Sequence, residues 1–200
     1  MTHTNDIVAI TQLVVRERES RDFGFWNRMR DCFHADAEVN ISWFRGKGHD
    51  FVTGSKDMAA RGMLATHRLG PVAVTLNGDR ALATVSGIID IPTVLEGKDF
   101  TLSAHAVMYY RVTRREGQWR LSSFEVLYRR DEFVPNILGQ SAALPLELLK
   151  SWRASYRNLC YSLHLKGYTP NNELAGEDRP DTVRALLASL YSWVGLPIPD

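Results

Sequence analysis

The stretch FTLSAHAVMYYRVTRREGQWRLSSFEVLYR, residues 100–129, decides the fold. Residues 100–114 and 118–129 read as two strands joined around Glu116-Gly117. Along the first, the even positions Phe100, Leu102, Ala104, Ala106, Met108, Tyr110 and Val112 are all apolar or aromatic. The odd positions carry Thr101, Ser103, His105, Val107, Tyr109 and Arg111. Side chains alternate between the faces of a strand. One face is therefore dry and suits helix packing or a subunit interface. The other is mixed and suits a pocket with a few polar groups, and His105 belongs to it. Strands this long exceed the usual five or six residues. Long antiparallel strands that curl are what a cone around a pocket needs.

Moving upstream, residues 70–76 and 79–91 form another strand pair, and Asn77-Gly78-Asp79 between them is a hairpin signal. Ala37, Val39, Ile41 and Trp43 alternate with polar residues as a further short strand. Residues 45–50 read as a flexible turn, and Ser55 as the cap of a short helix through Met63 and Leu64 that ends near His67. Residues 5–20 place Ile7, Ile10, Leu13 and Val14 at helical period, with Asn5 or Asp6 as cap. A second short helix carries Phe25, Trp26, Met29 and Phe33, and Asp22 falls where the chain turns between the two. Downstream of Pro135, residues 144–165 place Leu146, Leu149, Trp152, Tyr156, Leu159 and Leu163 at helical spacing. A polar loop and a helix over Asp181–Trp193 follow, with Gly195 as its stop. The order of elements predicts an α+β fold, a cone-shaped barrel with N-terminal helices against a strongly bent antiparallel sheet. Residues 1–138 make its domain, and residues 139–200 make a helical extension that covers the cone mouth or strengthens an oligomer.

Composition narrows the function. The 200 residues are 44% hydrophobic and 24% charged, with a net charge of +1. That balance gives no electrostatic case for nucleic acid or an anionic membrane. No run approaches the roughly 20 apolar residues of a membrane span, and no secretory signal is visible, which reads as cytoplasmic. Cys32 and Cys160 read as buried free thiols. No His, Cys, Asp or Glu set has metal-ligand spacing, so neither a metal nor another cofactor is expected. No serine or cysteine stands in a nucleophile elbow.

Three residues remain as catalytic candidates: Asp22, His67 and His105. Each has an ordinary structural role available to it: a turn residue, a helix-terminal histidine and a strand-surface histidine. Together they make a set suited to proton transfer near neutral pH, because an imidazole titrates there. Trp26, Trp43 and Phe51 are candidates for apolar walls, and Tyr128 and Arg129 for holding an oxygen or anion.

At these residues the chain resembles the SnoaL-like, scytalone dehydratase-like branch of the nuclear-transport-factor-2 superfamily, over about residues 5–135. Ser20-Arg21-Asp22 followed by Trp26, Met29, Phe33 and Asp36-Ala37 looks like the family's second helix leading into its first strand. Thr66-His67 before a strand looks like its histidine signal. His105, ahead of the hairpin Arg115-Glu116-Gly117-Gln118-Trp119-Arg120, looks like its second histidine. The resemblance implies a cofactor-independent lyase or isomerase acting on a hydrophobic, cyclic small molecule. In it His67 is the acid or base, Asp22 orients the imidazole, and His105 polarises a carbonyl or assists a leaving group. It also implies a homo-oligomer, a dimer or trimer through the sheet. Where scytalone dehydratase carries tyrosines this chain has Arg21 and Trp43, which points away from scytalone itself. Three other readings share the fold: a non-catalytic module binding a small ligand or a protein, a polyketide-cyclase-like enzyme, and the small subunit of a ring-hydroxylating dioxygenase, which the tail with two helices disfavours.

Overall fold

The computed structural model describes residues 3–199. Helices α1 (His3–Phe23) and α2 (Trp26–Asp31) precede strands β1 (Phe33–Ile41) and β2 (Phe44–Lys47) and helix α3 (Gly48–Ala60). Four long strands follow: β3 (Thr66–Asn77), β4 (Arg80–Leu95), β5 (Lys98–Arg115) and β6 (Gln118–Pro135). Helices α4 (Leu146–Lys150), α5 (Arg157–Leu165) and α6 (Pro180–Val194) end the chain. All six strands share one sheet in the order β2-β1-β6-β5-β4-β3, antiparallel throughout except for the parallel β1–β6 pair. This is the α+β cone expected from the strand pattern.

Turn chemistry sets the meander. Asn77 pairs with Arg80 across Gly78-Asp79, with Gly78 at φ 59°. At the next turns Glu96-Gly97 and Glu116-Gly117 both residues take positive φ, the backbone that matches the twist of a two-residue hairpin. Register shifts in β3–β4, β5–β6 and β1–β6 bend the strands, and such bulges raise the local twist that closes a cone.

Alternation then decides what faces inward. Leu102, Ala104, Ala106, Met108, Tyr110 and Val112 of β5 are all at most 1% exposed. They meet Ile10, Leu13 and Val14 of α1 in one core. The tail joins the same core through Tyr156, Leu159, Cys160, Leu163 and Leu174. Gly48 lets α3 start hard against β1, since a Cβ there would sit 2.8 Å from the Phe33 ring. That approach carries Phe51 into the core, edge-on to Phe33.

Several boundaries differ from the sequence reading. Helix α1 runs through Asp22, so that residue lies in its last turn rather than between helices. Asp6 lies inside α1 rather than ahead of it: it is buried and accepts hydrogen bonds from Trp119 Nε1 at 2.8 Å and from Arg114. Residues 44–47 are strand β2 rather than turn, and α3 starts at Gly48. Ser55 thus sits mid-helix, fully buried, with its hydroxyl unpartnered among the described residues. Apolar and polar residues in 144–165 do follow helical spacing, but the chain breaks between α4 and α5. There Arg153 and Ser155 bind the Asp178 carboxylate at 2.6–2.8 Å, long-range bonds that hold the chain between the two helices out of helical geometry.

Candidate active site

Asp22 and His67 come together because an edge strand passes the end of a helix. Strand β3 is the sheet edge, and α1 packs against it. At the second residue of β3 the backbone N–H of His67 donates to Asp22 Oδ2 at 2.7 Å, where an inner strand would have found a neighbour. The other carboxylate oxygen, Oδ1, lies 2.5 Å from His67 Nδ1. A carboxylate in the last turn of a helix faces the negative end of the helix dipole, worth roughly 0.3–1 kcal/mol against it. Two donors from one residue offset that cost. Helix α1 ends just beyond, at Gly24 with φ 73°, the left-handed cap that suits glycine.

Both groups are out of water, with side chains 6% (His67) and 13% (Asp22) exposed. Burial pushes the Asp22 carboxyl up, but its bonds to the His67 ring and backbone outweigh this and hold it below the usual carboxylate range. Asp22 is therefore charged and can only accept, which puts the ring proton on Nδ1 and the lone pair on Nε2. For His67, burial lowers the pKa most, the Asp22 bond opposes this, and the Arg18 charge lowers it further. The net direction is down, so the imidazole is neutral at pH 7.

Nε2 looks toward Arg18, whose Nη1 is 3.4 Å away. Arg18 is 3% exposed and lies over the Phe124 ring at 4.7 Å. Its charge is matched by the fully buried Glu17, which grips it through both carboxylate oxygens and also accepts from Tyr110 Oη at 3.4 Å. Burial works against the Arg18 charge, but Glu17 more than restores it.

Beyond this polar end lies a narrow cavity that opens to the surface, with about 610 Å³ of free space when its open mouth is counted. Its walls are apolar: Trp43 and Phe51 on one side, Ile89, Ile91, Met108 and Val126 from the sheet, and Leu159 and Leu163 from α5. Tyr128 also lines it, its hydroxyl accepting the Ser42 backbone N–H at 3.2 Å and its ring packed on Tyr156.

Of the residues singled out from sequence, Asp22, His67, Trp43, Phe51 and Tyr128 gather here. Three do not. His105 is on the opposite face of β5, 23% exposed, 3.4 Å from Glu132. The alternation holds, but the roles of the two faces are inverted: the dry face is the one that lines the cavity. Arg129 projects to the same outer face and pairs with Glu177 at 2.6 Å, mid-strand rather than at the end of β6. Trp26 packs in a separate surface recess with Gly24, Phe25 and Lys56.

Three cavity-end residues escape a reading based on apolar residues alone: Glu17, Arg18 and Arg21. The buried stripe of α1 runs Ile10, Leu13, Val14, Glu17, Arg18, Arg21. Its apolar half is evident in the sequence, and continuing the 3.6-residue period would have carried the same face onto three charges. Among the described residues no group of three or more His, Cys, Asp or Glu gathers as a metal site. No described helix is long and apolar enough to cross a membrane.

Residues 2–125 match the SnoaL-like domain family. The Emericella nidulans protein "Uncharacterized protein AN9274" is 24% identical over 153 residues, covering 72% of this chain and 64% of that protein. The match thus spans less than two thirds of that curated relative's length. Among solved structures, the hexachlorocyclohexane dehydrochlorinase LinA-type3 from Novosphingobium barchaimii superposes with a TM-score of 0.57 at 18% identity, over 71% of this chain and 97% of that one. A protein of unknown function from Mycobacterium tuberculosis, solved as a single-site variant, gives 0.56 at 16%, over 82% and 94%. A nuclear-transport-factor-2-like protein with a cystatin-like fold from Novosphingobium aromaticivorans gives 0.50 at 21%, over 62% and 81%. At these identities the likeness is one of fold.

Proposed function

Because the chain belongs to the SnoaL-like domain family, we propose that it is a cofactor-independent lyase or isomerase in which His67, held by Asp22, moves a proton on an apolar small molecule. One observation carries this reading. The Asp22 carboxylate takes both the ring Nδ1 and the backbone N–H of His67, leaving Nε2 at the wall of an apolar cavity.

In this reading Nε2 accepts a proton from a carbon next to an activating group. The freed electron pair either forms a double bond as a leaving group departs, or shifts a double bond and takes the proton back at another carbon. Asp22 stabilises the imidazolium formed in between, as a buried carboxylate does for histidine elsewhere. A neutral imidazole is the competent form, and general base catalysis of this kind supplies roughly 10²–10⁴-fold. Apolar walls strengthen each polar interaction at the site. Arg18, 3.4 Å from Nε2, is placed to meet negative charge that develops as the proton leaves. The fold neighbour named as a dehydrochlorinase is in keeping with an elimination. Residues 139–200 serve, in the same proposal, as an extension that completes the cavity wall through Leu159 and Leu163.

The test is an untargeted one. A metabolite extract is incubated with the protein or with its His67→Gln variant and compared by mass spectrometry. The reading expects compounds consumed and formed by the protein alone, differing by loss of a small neutral molecule or by none. Identical conversion by the variant would remove His67 from the chemistry.

A further inference from the structure

Arg21 has no role in the scheme above, yet it is the odd charge of the cavity. Only 5% of it is exposed, and it lines the same space as His67. Among the described residues its guanidinium makes one hydrogen bond, from Nη2 to the Met58 thioether at 3.6 Å, a weak acceptor. The nearby carboxylates are engaged elsewhere: Glu17 holds Arg18, and Asp22 holds His67. The groups facing Arg21 through space are Arg18, Asp22, Glu17 and Tyr168. Burial first, and then the like charge of Arg18, make its proton easier to lose, lowering its pKa to about 10. A guanidinium has five donors in a planar fork that fits a carboxylate, and a buried charge without a partner is costly.

We propose that Arg21 is the binding group for a negatively charged oxygen of the substrate, so that the cavity takes apolar organic acids. This rests on the cavity being the substrate site and deepens that reading by naming the substrate class. Arg18 and Arg21 stand one turn apart on the buried stripe of α1. An acid seated on Arg21 lays its body along the apolar walls of the space that His67 also lines. Neutralising the carboxylate by a guanidinium also acidifies the adjoining C–H, the bond a histidine base must break.

The test needs no turnover. Aryl carboxylates of graded size (benzoate, cinnamate and 2-naphthoate) are compared with their primary amides by isothermal titration calorimetry and thermal shift. Each pair differs by one charge at nearly equal shape. At least one acid is expected to bind about tenfold or more tightly than its amide. In Arg21→Met that preference disappears, while Arg21→Lys keeps part of it. His67→Gln retains it, because the base is not the anchor, which separates failure of this inference from failure of the catalytic reading. Equal behaviour of acid and amide in every pair, absence of binding included, overturns the proposal. So does an acid preference that survives in Arg21→Met. If Arg21→Met does not fold, the comparison in the native protein decides alone.

Discussion

Replacing Asp22 by asparagine keeps the size of the side chain and deletes its charge. The native carboxylate receives two donors, the His67 backbone N–H at 2.7 Å and the ring Nδ1–H at 2.5 Å. An amide has one oxygen to offer. If that oxygen keeps the backbone N–H, the NH₂ group faces Nδ1 and drives the ring proton to Nε2. Nε2 then aims a hydrogen at Arg18 Nη1 only 3.4 Å away, two donors facing each other. The loss is one charge-assisted bond, about 1.5–3 kcal/mol. At about 2–4 °C per kcal/mol for a chain of this size, the melting midpoint should fall by roughly 3–12 °C. Nitrogen NMR of the His67 ring reads the tautomer directly, without a substrate. The native ring should show a protonated Nδ1 and a bare Nε2 at pH 7, and Asp22→Asn the reverse. An unchanged tautomer together with an unchanged midpoint would refute the argument that Asp22 sets the state of His67.

Three further outcomes follow from the same geometry. Glu17→Gln leaves the buried Arg18 charge without its partner and should cost about 3–5 kcal/mol in denaturant unfolding, whereas a loss below about 1 kcal/mol would show that Arg18 reaches water. His105→Ala removes a partly exposed pair with Glu132 on the outer face and should change stability by no more than about 0.5 kcal/mol, with ligand binding untouched. Asp131 is raised to about 6 by burial, against bonds from Leu159 and Asn158. Its folded form therefore holds a proton more tightly than the unfolded chain does, so its contribution to stability declines as pH rises from 3.8 to about 6. Asp131→Asn should flatten the unfolding free energy across that window.

The strand framework was legible because β-structure advertises itself at short range. Asn77-Gly78 and Glu116-Gly117 need a positive φ, and the period of two along residues 100–112 is unbroken. What alternation cannot say is which face looks inward. The mixed face with His105 suits a pocket by its polarity, but the cavity in this small cone is lined by the driest residues of β5, Met108 among them, and its two arginines come from α1 instead. Asp22 and His67 were legible as a pair through family spacing. Their contact depends on β3 being an edge strand, which is a property of the whole sheet order. Glu17 and Arg18 were hidden by the habit of reading charge as exposure, whereas Arg21 was visible through the family comparison as the neighbour of Asp22. On α1 the buried stripe is part apolar and part ionic, and only the continued helical period betrays it. The break between α4 and α5 was equally hidden, because Asp178, which holds it, lies more than twenty residues downstream.

Proton transfer by His67 at the end of an apolar cavity is what the proposed function requires. It is tested most directly by incubating the protein with a metabolite extract in D₂O and reading deuterium incorporation by mass spectrometry. Either of two changes is expected with the native protein and not with His67→Gln: an apolar compound gains a carbon-bound deuteron, or it is converted by loss of a small neutral molecule. The pH profile of that exchange should show an acidic limb below 6.5, the value of a free imidazole, because burial and Arg18 lower the pKa of His67. Equal deuteration and equal conversion by the two proteins, or neither change with either, would contradict it.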